Sequence, residues 1–567
     1  MEERPSLTRW LLLGVAVFLF VTYGWPAITG KTSKIAVQPL GRADDTAPAT
    51  DKRTEEALCA LSGPRFHAVL TTKGGALRSF VPDDAKYKQR HDGGPTDLVS
   101  TTLQSRLPLR TDLRLPAAGG GAPEQVPFDD VDWKLESMTD KSCTFVYEDD
   151  ATRATKTVSA TPRPFELEVA LAVTNKANET RAHRLTVENA EWFRNADAKS
   201  SWQRQSEYQT QVELHAGGKM VRWGIDDFEP KDFEGEGFTA EKWRTAPGDS
   251  AFAAVSTSFF AKALLPLEGG KATGETLIEE IFDGVHYAEK DKDPQFGHTY
   301  RSRLNYGTRA LAANETVAYR VLAFVGPKER EVLANIGGGV YPTTDILNLG
   351  TFGAIGKWLI RYLYLLNSIV SSWGWAICLL TITVKLLLFP LSIAQIKSTM
   401  AMRQLKPEMD AINAKYKDDA QQRGLALQEL WRKNKVSNPM LGCLPVLLQM
   451  PVWWALYTSL QTAVELYHTP FGPFVPDLSA PGKYFIIPAM LGISSVLQQH
   501  MMPMQGDPAQ QRMMKWMMPT IFTVMMLFLP AGLGIYFLTN TWLGILQQFS
   551  VERYFKTQES SGEPTPA

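Results

Sequence analysis

Hydrophobic and polar positions follow three regimes along the chain. Trp10 to Ala27 form one apolar run preceded by Arg4 and Arg9, the positive flank that keeps the start of a first helix in the cytoplasm. Residues 1–28 therefore read as a signal anchor. A cleaved signal peptide is the competing reading, and no clear small-x-small site follows the run. Residues 29–57, rich in Thr, Ala, Asp and Pro, read as a flexible linker. Between 58 and 330 no apolar run reaches the about 20 residues that a bilayer-crossing helix needs. Apolar residues instead recur in short stretches: Cys143 to Tyr147, Phe165 to Val173, Phe252 to Phe260 and Val317 to Phe324. Turn signals such as Lys73-Gly74-Gly75 and Asn175 to Glu179 separate them. That pattern predicts strands, and strands in this number predict a β-sandwich.

The last third changes period. Ile355, Trp358, Leu359, Tyr362, Leu363 and Leu366 fall at helical spacing with Lys357 and Arg361 between them, which predicts an amphipathic interfacial helix over 345–366. Spans are expected at Ser372 to Gln395, Leu441 to Val464, Tyr484 to Met502, Met514 to Leu529 and Leu533 to Phe549. They make a core over 367–555, with a turn at Pro530-Ala531-Gly532 joining the last two as antiparallel neighbours. With the first anchor the expected fold class is a polytopic α-helical membrane protein of six transmembrane helices carrying an all-β outer domain. Inside the core, 396–436 reads as a helical hairpin: Ile396, Met400, Leu405, Met409, Ile412 and Tyr416 mark one stripe, and Leu427, Leu430 and Trp431 the returning helix. Residues 556–567 read as a short disordered tail.

The formal net charge of -1 hides an asymmetry that fixes orientation. The hairpin segment carries many cations, including Arg403, Lys406, Lys415, Lys417, Arg432 and Lys433, whereas Glu465 to Lys483 is nearly free of them. The positive-inside rule puts the hairpin in the cytoplasm, the second loop and the β domain outside, and both termini in the cytoplasm. Those six cations are either a solvated topological signal or a docking surface for ribosome or targeting machinery. The four cysteines, Cys59, Cys143, Cys378 and Cys443, are too scattered for a disulfide framework or a zinc site. Cys59 and Cys143 could pair in an oxidising compartment, without any spacing signal to assign the bond. No nucleotide, hydrolase or metalloprotease motif is present, so neither an enzyme nor a cofactor or metal is expected.

Lys385 is the first candidate for chemistry. It lies twelve residues from both Trp373 and Lys397, about 18 Å of helix either way, and a lysine so placed is kept where it faces protein or a wet cavity. The bland alternative is a lysine closer to the cytoplasmic boundary. Gly374, Cys378, Thr381, Lys385, Ser392 and Gln395 share one helical face, interrupted by Leu388. Gln449, Gln498, Asn540 and Gln547 are polar groups on other spans. An interhelical hydrogen bond accounts for any one of them; together with Lys385 they point to a hydrated intramembrane groove. Met501, Met502, Met504 and Met513 flank a short cytoplasmic loop, where flexible thioethers suit contact with varied apolar partners, or ordinary packing. A secondary transporter with an intramembrane lysine site is the rival class, and no internal repeat supports it.

The stretch Ser437-Asn438-Pro439-Met440-Leu441-Gly442-Cys443-Leu444-Pro445-Val446-Leu447-Leu448-Gln449-Met450-Pro451 resembles the signature of the Oxa/YidC/Alb insertases. Leu388-Phe389-Pro390-Leu391, Phe471 to Leu478, and Pro530-Ala531-Gly532 with Asn540 and Gln547-Gln548 look similar too. Thr72-Lys73-Gly74-Gly75 and the size of the β region resemble the periplasmic domain of Gram-negative members. The resemblance implies a β-super-sandwich in the periplasm, a bacterial inner-membrane location and a cytoplasm-open groove. It also implies insertion and folding of nascent membrane proteins, alone or beside the Sec translocon, in contact with membrane lipids and with no nucleic-acid specificity. Most bacterial members carry an arginine where this chain has Lys385, so any step that used a planar, bidentate guanidinium is in question. The tail lacks the basic extension that some members use with ribosomes, and no tail-mediated docking is expected.

Overall fold

The computed structural model describes residues 55–88, 93–101, 106–115, 124–126, 133–194, 210–228, 243–281, 297–349, 353–416, 419–434, 444–482, 484–501 and 508–561. The expected anchor over Trp10 to Ala27 and the linker lie outside the described residues, apart from the linker's end at 55–57. Among the described residues, nine strands form one antiparallel sheet, in the spatial order Lys219–Trp223, Gln211–Ala216, Ser250–Ser256, Phe260–Glu268, Thr316–Pro327, Glu166–Asn175, Thr152–Ala160, Ser142–Glu148, Lys134–Thr139. A second sheet runs Arg244–Thr245, Ala272–Ile281, Gly297–Tyr306, Arg181–Arg194, Arg110–Leu115, Glu124–Val126, and Arg309–Leu311 also pairs with Arg181–Arg194. Leu58–Gly63, Phe66–Thr71 and Ala76–Pro82 make a small third sheet.

Alternation dictates how the two large sheets close on each other. Leu167, Val169, Leu171 and Val173 point from one sheet into a core shared with Leu185, Val187, Leu304 and Tyr306 of the other. Each such side chain contributes about 1.5–3 kcal/mol when fully buried. The Lys73-Gly74-Gly75 turn needs glycine, because Gly74 and Gly75 have φ of 70° and 55°. The run Phe252 to Phe260 is not one strand. It divides into Ser250–Ser256 and Phe260–Glu268 around a turn in which the Thr257 and Phe260 backbones exchange a hydrogen bond of 2.8 Å. Gly297–Tyr306 carries no alternation in its burial, since both faces are covered. Its outward arginines are paired instead: Arg301 with Glu188 at 2.6 Å and Arg303 with Glu275 at 2.6 Å, with the Arg303 guanidinium 3.5 Å from the centre of the Trp243 ring.

Cys59 and Cys143 form a disulfide with Cα atoms 6.1 Å apart, the bond that no spacing signal assigned. It staples the small sheet to the edge region of the nine-stranded one.

After the strands come ten α-helices among the described residues: α1 (Arg330–Asn335), α2 (Gly353–Val370), α3 (Trp373–Leu387), α4 (Phe389–Gln404), α5 (Lys406–Lys415), α6 (Ala420–Lys433), α7 (Leu444–Thr462), α8 (Ile486–Met501), α9 (Pro508–Met526) and α10 (Ala531–Ser561). Helix α2 buries Leu359, Leu363 and Leu366 and leaves Trp358, Leu365 and Ile369 exposed, with Lys357 and Arg361 at the surface. Helices α2, α3, α7, α8 and α10 share a core that includes Ile377, Leu380, Leu456, Leu460, Leu533 and Tyr536. The hairpin is α5 and α6 packed through Leu405, Met409 and Leu430; the Asp419 carboxylate caps α6 by accepting from the Gln421 and Gln422 amides.

Two expectations change. Among the described residues no helix is long and apolar enough to cross a membrane, so helix length does not support a count of six spans. The expected span Ser372 to Gln395 breaks at Leu388. Pro390, at the second position of α4, has no N–H to donate back to the preceding turn. This leaves α3 at 15 residues, about 22 Å against a hydrocarbon core of about 30 Å. At the other end, α10 continues to Ser561, past the start of the expected disordered tail. No glycine or proline interrupts the stretch from Ser550 to Ser561, and Gly562 and Pro564 follow it.

Candidate functional site

Helices α3 and α10 lie side by side, and Lys385 of the first meets Gly544 and Gln547 of the second. Lys385 is half-buried on α3. Its ammonium approaches Gly544 of α10 so closely that a Cβ there would lie 3.6 Å from Nζ and 3.0 Å from the Gln498 amide nitrogen on α8. Glycine opens the notch in which the lysine and the glutamine converge. No hydrogen bond or ion pair to Lys385 exists among the described residues.

On its other side Lys385 lines a cavity of about 450 Å³. Ile382, Leu386, Phe389 and Ile393 form one wall and Leu543, Leu546 and Val551 the other, with Gln547, Ser550 and Tyr554 as the polar members. The Gln547 amide nitrogen is buried and has no hydrogen-bond partner among the described residues, an unusual state for a polar group. Leu386, Leu546 and Tyr554 are exposed at its rim. The wall is thus mostly apolar, with one cation in it.

The predicted set divides. Lys385, Gln498 and Gln547 are brought together by the Gly544 notch and the cavity, and Asn540 is half-buried one turn before the notch on α10. Thr381 is buried, and its hydroxyl donates to the Ile377 carbonyl at 2.8 Å, so it belongs to the helix packing and does not line open space. Ser392, half-buried on α4, is used in the same way by donating to the Leu388 carbonyl at 3.1 Å. Gln395, Gln449, Arg403 and Met513 are placed on α4, α7, α4 and α9 by their backbones alone, their side chains being outside the description. Lys417, Met502 and Met504 lie outside the described residues. Met501 ends α8 half-buried, its carbonyl accepting from the Gln548 amide at 2.9 Å. Lys406, Lys415, Arg432 and Lys433 are exposed on the hairpin, away from the cavity. Gly544, Ser550 and Tyr554 escaped the sequence reading. Gly544 stands four residues after Asn540 and three before Gln547, a helical spacing that would have found it.

The chain thus joins a helical bundle, with a cation beside a mostly apolar cavity, to a β-sandwich domain. Residues 365–559 match the family described as 60Kd inner membrane protein, and residues 59–362 match the YidC periplasmic domain. The membrane protein insertase YidC of Anaeromyxobacter dehalogenans strain 2CP-C is 33% identical, over 90% of this chain and 87% of that protein. The protein of that description from Oleidesulfovibrio alaskensis is 29% identical over 95% of this chain and 98% of its own. A crystal structure of an active YidC insertase with its first transmembrane domain resolved aligns at a TM-score of 0.38 and 18% identity, covering 88% of this chain and 93% of that one. Over the β domain, a galactose mutarotase-like protein from Lactobacillus casei aligns at a TM-score of 0.28 and 14% identity, covering 47% of this chain and 100% of that one. The chain belongs to the YidC membrane protein insertase family. It is an inner-membrane insertase with a periplasmic β-sandwich domain.

Proposed function

We propose that a nascent apolar segment slides into the α3–α10 cavity while its polar, often acidic flank is held for a time beside the Lys385 ammonium. The carrying observation is that this ammonium lacks a hydrogen-bond or ion-pair partner among the described residues while standing in an apolar wall. A lysine at mid-membrane costs about 2.5–3.5 kcal/mol on insertion scales, and an arriving carboxylate or hydrated backbone offsets that cost. Gln498 and Gln547 supply further polar contacts. The protein crosses the membrane six times with both termini in the cytoplasm; α3 and α4 act as two pieces of one crossing, and the chain's charge asymmetry supports the orientation. The reading needs no covalent step, so the chain is assigned no enzymatic activity and no cofactor. The driving force is partitioning of the apolar segment together with the membrane potential, about 2.3 kcal/mol per charge per 100 mV. The exposed cations of the hairpin serve a ribosome or targeting factor, and the bundle works alone or beside the Sec translocon.

The test is insertion of a short single-span client into proteoliposomes. Lys385→Ala and Lys385→Glu are expected to slow insertion about ten-fold, equivalent to about 1.4 kcal/mol, with Lys385→Arg near the parent. Unchanged insertion with Ala or Glu removes the charge from the mechanism.

A further inference from the structure

The outer loop between α7 and α8 touches two things at once. Facing the β domain, Val464 and Tyr467 are buried with Tyr87 and Phe259, the Tyr467 ring centroid lying 5.0 Å from that of Phe259. The Tyr467 hydroxyl donates to the Lys88 carbonyl at 3.0 Å, and His468 Nδ1 bonds the Lys86 carbonyl at 3.1 Å. Glu465 accepts from the Arg330 amide at 3.3 Å and from the Tyr364 hydroxyl of α2. The β-domain side of this contact is itself braced, because Glu329 holds Arg65 at 2.8 Å, Lys86 at 3.2 Å and the Tyr87 hydroxyl.

Facing the bundle, the same loop folds back through a bond from the Leu478 amide to the Thr469 carbonyl at 2.9 Å. It then caps α10. The Gly532 amide donates to the Leu478 carbonyl and the Ala531 amide to the Ala480 carbonyl, each at 2.8 Å. These are first-turn amides that have no partner inside their own helix. Leu466 and Leu478 are fully buried against the bundle core. The fit there is close, since a Cβ on Gly532 would sit 3.1 Å from the Leu478 carbonyl oxygen. Twelve residues further along α10, about 18 Å, lies the Gly544 notch.

We infer that the loop over 463–480 is a two-faced connector, and that Glu465 and Tyr467 are positioning residues which, by docking the β domain, set where α10 stands relative to α3. A rigid helix capped at one end carries a displacement of its first turn to its middle. The device has a built-in reporter. Cys378 of α3 lies with its sulfur 3.5 Å from the Thr539 hydroxyl of α10, so its reactivity follows the separation of the two helices. This readout does not depend on the groove reading above, so failure of one leaves the other standing.

The experiment uses the full chain in proteoliposomes, with N-ethylmaleimide labelling of Cys378 quantified by peptide mass spectrometry and hydrogen exchange followed at 84–88 and 531–544. Glu465→Ala and Tyr467→Ala are expected to raise exchange at 84–88 and to speed Cys378 labelling about five-fold or more, the lower range of site-to-site coupling. Glu465→Gln, which keeps an oxygen for both donors, stays near the parent. Because coupling is reciprocal, Gly532→Val must raise exchange at 84–88 from the opposite side, an arm that does not require the loop variants to fold well. Faster exchange at 84–88 with unchanged Cys378 labelling overturns the proposal, as does a Gly532→Val protein whose 84–88 amides behave like the parent's.

Discussion

One buried and one half-buried lysine show how differently the halves of this molecule treat charge. Lys156, fully buried between the large sheets, donates to the Leu109 carbonyl at 2.6 Å and the Thr111 hydroxyl at 2.8 Å, and burial pushes its ammonium down to about 7. Lys385 in the bundle has no such partners among the described residues and instead looks onto a notch and a cavity. The β domain pairs several of its buried charges, as Arg301 with Glu188 and Lys262 with Glu191 at 3.3 Å also show. A buried charge with partners belongs to the packing of its domain, whereas Lys385 stands where the proposed mechanism needs a charge open to a guest. The difference teaches that the β domain uses such charge to hold its sheets together, while the bundle leaves one facing a cavity.

The comparison can be broken from the β side first. Cys59→Ser opens an 84-residue loop and is expected to destabilise the sandwich by about 2–4 kcal/mol, seen as a lower thermal midpoint of the strand signal in circular dichroism. A shift indistinguishable from zero would mean that the staple constrains nothing. On the bundle side, Gly544→Val fills the notch between Lys385 and Gln498. Overpacking of this kind costs about 1–3 kcal/mol, and client insertion should fall several-fold, with Gly544→Ala less affected on the lysine side because 3.6 Å is an ordinary contact. Parent-like insertion by the valine variant would show that the convergence of the two polar groups is incidental.

The smallest effect sharpens the lysine contrast. With its folded value near 7 and an ordinary value of 10.5, Lys156 gives up its proton in the folded domain while the unfolded chain still holds it. Its contribution therefore makes stability rise with pH between about 7 and 10.5. Lys156→Met removes that slope, so the thermal midpoints of parent and variant should diverge as the pH is raised from 7 to 9. Parallel curves would mean that Lys156 is not titrating inside the sheet pair.

The sequence carried the β-sandwich and the site lysine for different reasons. Strands such as Glu166–Asn175 alternate because one face is wetter and the other dry, whereas Gly297–Tyr306 lies between two covered faces and has no such alternation in its burial. The Phe252 to Phe260 run looked continuous because a tight Thr257 turn needs no glycine or proline. Lys385 was legible from its isolation in an apolar run, but Thr381 and Ser392 looked identical to cavity-lining hydroxyls on a helical wheel. Only their bonds to carbonyls of the preceding turn separate the two cases. The disulfide could be named only as a possible pair for a simpler reason: packing of the small sheet against the large one brings residues 59 and 143 together, and one-dimensional spacing has no record of it.

The middle of the nine-stranded sheet has a consequence for how this protein is made. Thr316–Pro327 pairs on one side with Glu166–Asn175 and on the other with Phe260–Glu268, so the sheet cannot knit until the chain has been delivered almost to α1. Pairings so distant along the chain form slowly. During its own synthesis the exported half therefore waits incomplete while the helices that follow are already emerging from the ribosome.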